Sequence, residues 1–167
     1  MRVTFINPPS GLDRGFYEIP LNISYLAACT RAKGLNVEFD LIDMELHTDR
    51  AWEYLEELST RSSPDVIAAP LYTYSIGACL RAVERLKQIH PDAIVVVGGP
   101  HATLAPMEMV ANTFVDIVIV GEGDDAFPEV IAELDRGRQG FWDRLRNHKG
   151  LVFKDRPYAA SACHSDD

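Results

Sequence analysis

Ile94-Val95-Val96-Val97-Gly98-Gly99-Pro100-His101-Ala102-Thr103 is the stretch that decides the fold. Four consecutive β-branched residues leave no polar face, so this segment reads as a strand buried on both sides rather than one half in water. Such strands belong to parallel sheets covered by helices. The glycine pair that follows ends the strand and lets backbone or ligand approach where a Cβ would intrude.

Working outward, strand-length apolar runs recur at residues 2–7, 36–42, 66–69 and 117–120. Between them lie segments of helical period, roughly 21–33, 50–61, 76–90 and 126–136, with a short one at 106–112. Gly34 stands after Lys33 where a left-handed helix end is expected, and Ser75 is placed to cap the helix carrying Ile76, Leu80, Val83 and Leu86. Five strands joined by right-handed crossovers predict an α/β, flavodoxin-like (Rossmann-like) doubly wound five-stranded parallel sheet of order 2-1-3-4-5, with helices on both faces. In that topology the ligand crevice lies beyond the carboxyl ends of the strands.

The pattern fades after Gly140. Residues 141–148 suit one or two further helical turns, Gly150-Leu151-Val152-Phe153-Lys154-Asp155 suits an added edge strand, and residues 157–167 suit a disordered tail. The expected organisation is a ligand-binding domain over 1–140 and an extension over 141–167 with an edge strand at 150–155. At 167 residues and 47% hydrophobic content the chain can bury one core, not two.

A formal charge of −9 argues against nucleic acid, whose phosphates need clustered Lys and Arg. No stretch approaches the ~20 apolar residues of a membrane span, and the N-terminal apolar run is too short for a signal peptide. Cys29, Cys79 and Cys163 are scattered and form neither CxxC nor CxxxCxxC, so a reduced, cytoplasmic setting is expected, with no zinc or iron–sulfur site built by this chain alone.

The informative residues follow strands one, three, four and five, where the crevice is expected. Asn7-Pro8-Pro9 opens a connection of about a dozen residues, long for a strand-to-helix loop. It reads either as a stiff surface loop or as a wall beside a large ligand. Leu71-Tyr72-Thr73-Tyr74-Ser75 brings hydroxyls and flat apolar faces to the sheet mouth, or else a helix cap and two half-buried tyrosines. Gly98, Gly99, Gly121 and Gly123 leave room for a slot, although glycines also make tight turns. His101 follows the glycine pair and reads equally as a ligand contact or a loop residue.

Rival ligand motifs are missing. GxGxxG does not follow the first strand and Walker A is absent, which speaks against dinucleotides and ATP. A receiver domain needs acids after strand one, Asp after strand three and Lys after strand five; Asn7, Pro70 and Gly121 stand there. A flavodoxin phosphate loop is disfavoured by Pro8-Pro9, and no GxSxG elbow marks a hydrolase.

Together Ile6-Asn7-Pro8-Pro9, Val96-Val97-Gly98-Gly99-Pro100-His101-Ala102-Thr103 and Val120-Gly121-Glu122-Gly123-Asp124 resemble the N-terminal cobalamin-binding domain of cobalamin-dependent radical SAM enzymes, over about residues 1–137. Gly121-Glu122-Gly123-Asp124 departs from that family's usual Gly-Glu-Gly-Glu and keeps the charge. The resemblance implies a corrinoid across the carboxyl edge with its nucleotide tail beside the glycine loops after strands four and five. It implies contacts from Asn7, Pro8, Pro9, Leu71, Tyr72, Thr73, Tyr74, Ser75, Gly98, Gly99, Pro100, His101, Thr103, Gly121, Glu122 and Gly123. Mutase-type domains carry DxHxxG after strand one, with a His on cobalt; its absence here implies base-off binding without a protein histidine on the metal. The family's catalytic barrel, with its CxxxCxxC 4Fe–4S cluster and S-adenosylmethionine, has no counterpart in this sequence. The chain is expected to depend on a radical SAM barrel elsewhere, whether it is an excised domain or a subunit lending cobalamin to a partner.

Two further readings stand beside this one. In the first, a degenerate relative has lost cobalamin and serves as an interaction or regulatory module. In the second, an enzyme uses His101 and Glu122 as acid and base in the same crevice.

Overall fold

The computed structural model describes residues 1–12, 17, 19–61 and 63–154. Its elements run β1 (Arg2–Asn7), α1 (Leu21–Ala32), β2 (Glu38–Asp43), a 3-10 turn (Met44–His47), α2 (Ala51–Ser59), β3 (Val66–Pro70), α3 (Ile76–Ile89) and β4 (Ile94–Gly98). They continue through α4 (Pro100–Leu104), α5 (Pro106–Val110), β5 (Ile117–Ile119), α6 (Gly123–Asp135), α7 (Phe141–Leu145) and β6 (Leu151–Val152). The sheet order is β2-β1-β3-β4-β5-β6.

Strand alternation divides the core in two. Val66, Ala68, Ile94, Val96, Ile117 and Ile119 face the layer of α1, α6 and α7, while Ile67, Ala69, Val95, Val97 and Val118 face that of α2 and α3. Because both faces are covered, the four residues Ile94–Val97 are all buried, as their unbroken apolar run requires. At the amino end of the sheet Asp116 accepts hydrogen bonds from Lys87 Nζ (2.9 Å) and Val95 N (2.8 Å), so its carboxylate fixes α3 against β4. Gly34, at φ +75°, ends α1 in the left-handed conformation that its position predicts.

The structure differs from the sequence expectation in two places. The sheet has six strands rather than five, because β6 pairs antiparallel with β5, Val118 opposite Val152 and Ile119 opposite Leu151. An antiparallel neighbour on β5 closes an otherwise exposed apolar edge, since Leu151, Val152 and Phe153 are buried there. Residues 155–167, including Cys163 and the predicted tail, lie outside the described residues. Ser75 occupies the position before α3 but makes no side-chain cap bond; its hydroxyl is buried without a partner.

Candidate functional site

All the loops singled out by sequence gather at the carboxyl edge, where they frame two adjoining clefts. The inner cleft, about 240 Å³, lies between α1 and α6 over the ends of β3, β4 and β5. Ala68, Val96, Ile119 and Phe127 give it an apolar floor, and Phe127 packs on Phe5 with ring centroids 5.3 Å apart. Gly98, Gly99, Pro100, Gly121, Glu122 and Gly123 form its rim. The outer cleft, about 720 Å³, lies between the β1–α1 connection and the loop after β3, with Asn7, Pro8, Tyr72, Tyr74 and Ser75 on its walls.

The β4 and β5 loops hold their shape through backbone geometry. Gly99, at φ +97° and ψ −177°, occupies a region essentially restricted to glycine, and a Cβ there would stand 3.1 Å from the Leu71 carbonyl oxygen. Leu71 N donates to Gly98 O (2.7 Å) and His101 N to Leu71 O (3.0 Å), locking the β3 and β4 loops together. The Thr103 hydroxyl donates to Gly99 O (3.0 Å) and accepts from Gly121 N (3.0 Å), joining the β4 loop to the β5 loop.

Carboxylates hold the β1 side instead. Asn7 Nδ2 donates to Asp43 Oδ1 (2.8 Å), and the Tyr17 hydroxyl donates to the other oxygen of the same buried carboxylate. Ser10 donates its N–H and its hydroxyl to the two oxygens of Glu45, each at 2.6 Å. Partial burial, then the hydrogen bond to Asp43 and the charges of Asp43 and Glu45, push the Tyr17 hydroxyl up to about 12. Behind the β3 loop, burial alone pushes the Cys79 thiol up to about 12, so it stays protonated and donates weakly to Pro70 O.

The structure revises several sequence-level roles. Leu71 is wholly buried and borders neither cleft; its backbone is what the site uses. A Cβ on Gly99 would press on the Leu71 backbone, so glycine is needed there for the protein to pack on itself, whereas one on Gly98 would meet Ile119 at an ordinary 3.4 Å. Gly121 is different: at φ +81° its missing side chain would project into open space. Pro9, Thr73, His101 and Thr103 border neither cleft. His101 Nδ1 hydrogen-bonds Thr73 Oγ1 (3.0 Å) and its Nε2 is buried without a partner. Glu122 faces the inner cleft and His101 does not, so the two are not assembled as an acid–base pair.

Sequence reasoning missed Asn22, Tyr25 and Leu26 of α1, and Asp43 at the end of β2 with Glu45 just beyond it. The first three share one helix face by their spacing, and α1 exposes Leu21 and Tyr25 in its first turns, more apolar surface than core packing demands. Asp43 and Glu45 were legible from the rule that located the other loops, since the end of β2 belongs to the same edge.

Neither cleft has Lys or Arg among its described lining residues, while Glu45 and Glu122 are present, a poor setting for a nucleoside triphosphate or a terminal phosphate. The described residues hold no group of three His, Cys, Asp or Glu able to bind a metal ion, and no helix long and apolar enough to cross a membrane. A large, mostly neutral ligand in two parts suits the clefts. Ser75 stands in the wall of the outer cleft, and its hydroxyl is buried without a protein partner.

Comparison with known proteins agrees with this geometry. The chain is 29% identical over 145 residues to an anaerobic magnesium-protoporphyrin IX monomethyl ester cyclase of Rubrivivax gelatinosus, covering 83% of this chain and 25% of that protein. It is 28% identical over 160 residues to an uncharacterized methyltransferase of Pyrococcus horikoshii, covering 93% and 33% respectively. The chain thus spans a third or less of the length of these relatives. The radical S-adenosylmethionine methyltransferase TsrM of Kitasatospora setae, solved with cobalamin and a 4Fe–4S cluster, shares the fold with a TM-score of 0.71 at 19% identity, over 91% of this chain and 28% of that one. The B12 binding domain model matches residues 11–131, and the chain belongs to that family.

Proposed function

We propose that this chain binds cobalamin non-covalently at the carboxyl edge, with the corrin ring in the outer cleft and the nucleotide tail in the inner one. The observation that carries this reading is the pair of adjoining clefts, one wide and bounded by polar groups, the other narrow and apolar. Tyr72, Tyr74 and Ser75 would meet the ring and its amides, and the Gly121–Gly123 rim with Leu26 and Phe127 would enclose the nucleotide base. Residues 1–140 would form the binding domain, with residues 141–154 completing its sheet.

Binding would be base-off, because a nucleotide held in the inner cleft cannot also reach cobalt. The loop after β1 offers no histidine to replace it, and His101 is engaged by Thr73 away from both clefts. When bound, cobalamin supplies methyl-carrying or radical-supporting chemistry; the residues of this chain bind and orient it. S-adenosylmethionine and a 4Fe–4S cluster would sit on a radical SAM barrel outside these residues. The free thiols of Cys29 and Cys79 suit a reducing cytoplasm.

The test is the visible absorption spectrum of the protein after incubation with hydroxocobalamin and desalting. Retained corrinoid with a base-off spectrum is expected. A colourless protein would reject the proposal and favour an interaction module on a cobalamin-type fold.

A further inference from the structure

Among the described residues, two border both clefts: Asn22, in the first turn of α1, and Tyr72, in the loop after β3. They mark the neck at which one compartment passes into the other. Anything occupying both clefts must run its connecting atoms past this pair.

The Asn22 side chain is exposed and makes no hydrogen bond to the protein. It has no structural duty there, since the inward face of α1 is supplied by Ile23, Ala27 and Thr30. An amide carries both a donor and an acceptor, and among the described residues it stands with the Tyr72 phenol as a polar side chain bordering both clefts. The described lining residues include no Lys or Arg, so among them an anionic link between two ligand halves has only neutral donors to use.

We propose that Asn22 donates from Nδ2 to the phosphodiester-containing link that joins corrin ring to nucleotide, making it a specificity residue for the complete cofactor. This rests on the cobalamin reading above. The site then selects cobalamin over cobinamide, the corrinoid without its nucleotide. Selection arises because cobinamide fills only the outer cleft and leaves both the neck and the apolar inner cleft without a partner.

The experiment titrates the full chain, as wild type, Asn22→Ala and Asn22→Asp, with hydroxocobalamin and separately with diaquacobinamide, reading Kd from the visible spectrum. Because Asn22 is exposed and unbonded, both variants should fold, which circular dichroism checks. Asn22→Ala should weaken cobalamin about fivefold, the scale of one hydrogen bond, and leave cobinamide within about twofold. Asn22→Asp should weaken cobalamin further, since a carboxylate repels the phosphodiester, again sparing cobinamide. Equal losses for both corrinoids, no loss for either, or a wild type that binds both equally would overturn the inference while leaving the cobalamin reading standing. A wild type that retains neither corrinoid would overturn both.

Discussion

The two sides of the carboxyl edge are built by different physics. The β4 and β5 loops are set by backbone sterics: a glycine in a conformation closed to other residues, a Leu71 backbone clamped at both ends, and one threonine hydroxyl shared between loops. The β1 side is set by two carboxylates that collect donors from Asn7, Ser10 and Tyr17. Steric fixation does not respond to pH and breaks when volume is added. Fixation by charged groups tolerates volume and responds to pH, because its strength follows the ionisation of its members. The narrow apolar cleft thus lies on the rigid side, and the wide one on the side that can adjust.

The largest effect that separates the two sides should come from Gly99→Ala. The new Cβ meets the Leu71 backbone on a residue whose φ is +97°, so strain and overpacking together should cost about 2–4 kcal/mol in urea unfolding. A loss below about 0.5 kcal/mol would show that the β4 loop is not sterically fixed. A smaller effect is expected from Thr103→Val, which keeps shape and removes the hydroxyl. It should cost about 1 kcal/mol and speed amide exchange at Gly121, whose N–H loses its acceptor.

The smallest effect is expected on the β1 side and only at alkaline pH. Tyr17 has its pKa raised from the ordinary 10.0 to about 12 in the folded protein. A raised pKa means that the folded state holds the proton more tightly. The contribution is therefore complete below the unfolded value and fades as pH climbs from about 10 to about 12. Wild type should lose this increment over that window, and Tyr17→Phe should have no such step. Asp43→Asn should return the tyrosinate absorbance transition toward its ordinary range. An unchanged transition would mean that Asp43 does not hold Tyr17.

Much of this arrangement was legible in the residues. The run Ile94–Val97 implied a doubly covered strand, Gly34 marked a helix end, and the motifs after strands one, three, four and five pointed to the edge where both clefts open. The short helix directly after β4 was not legible. α4 begins with Pro100 at its first position, which suits a helix start, but five residues with Pro106 close behind give no period to read. β6, two residues long, lies inside the 150–155 stretch whose residues read as an edge strand, while its antiparallel pairing follows from the open edge of β5. α6 starts at Gly123, ahead of the predicted 126, because Asp124 and Asp125 favour a helix N-terminus although Gly-Asp-Asp also suits a loop. Glycine meaning was the subtler failure: Gly98, Gly99 and Gly121 look alike in sequence, yet Gly99 is hemmed by the Leu71 backbone, Gly98 has room for an ordinary contact with Ile119 and Gly121 opens onto solvent. Only the direction of the missing Cβ separates them.

One corrinoid is proposed to occupy both clefts. The most direct test is the crystal structure of the protein grown with hydroxocobalamin. The ring is expected beside Tyr72 and Tyr74 and the nucleotide base between α1 and α6 against Phe127. A nucleotide still coordinated to cobalt, with the space between α1 and α6 filled by water, would contradict it.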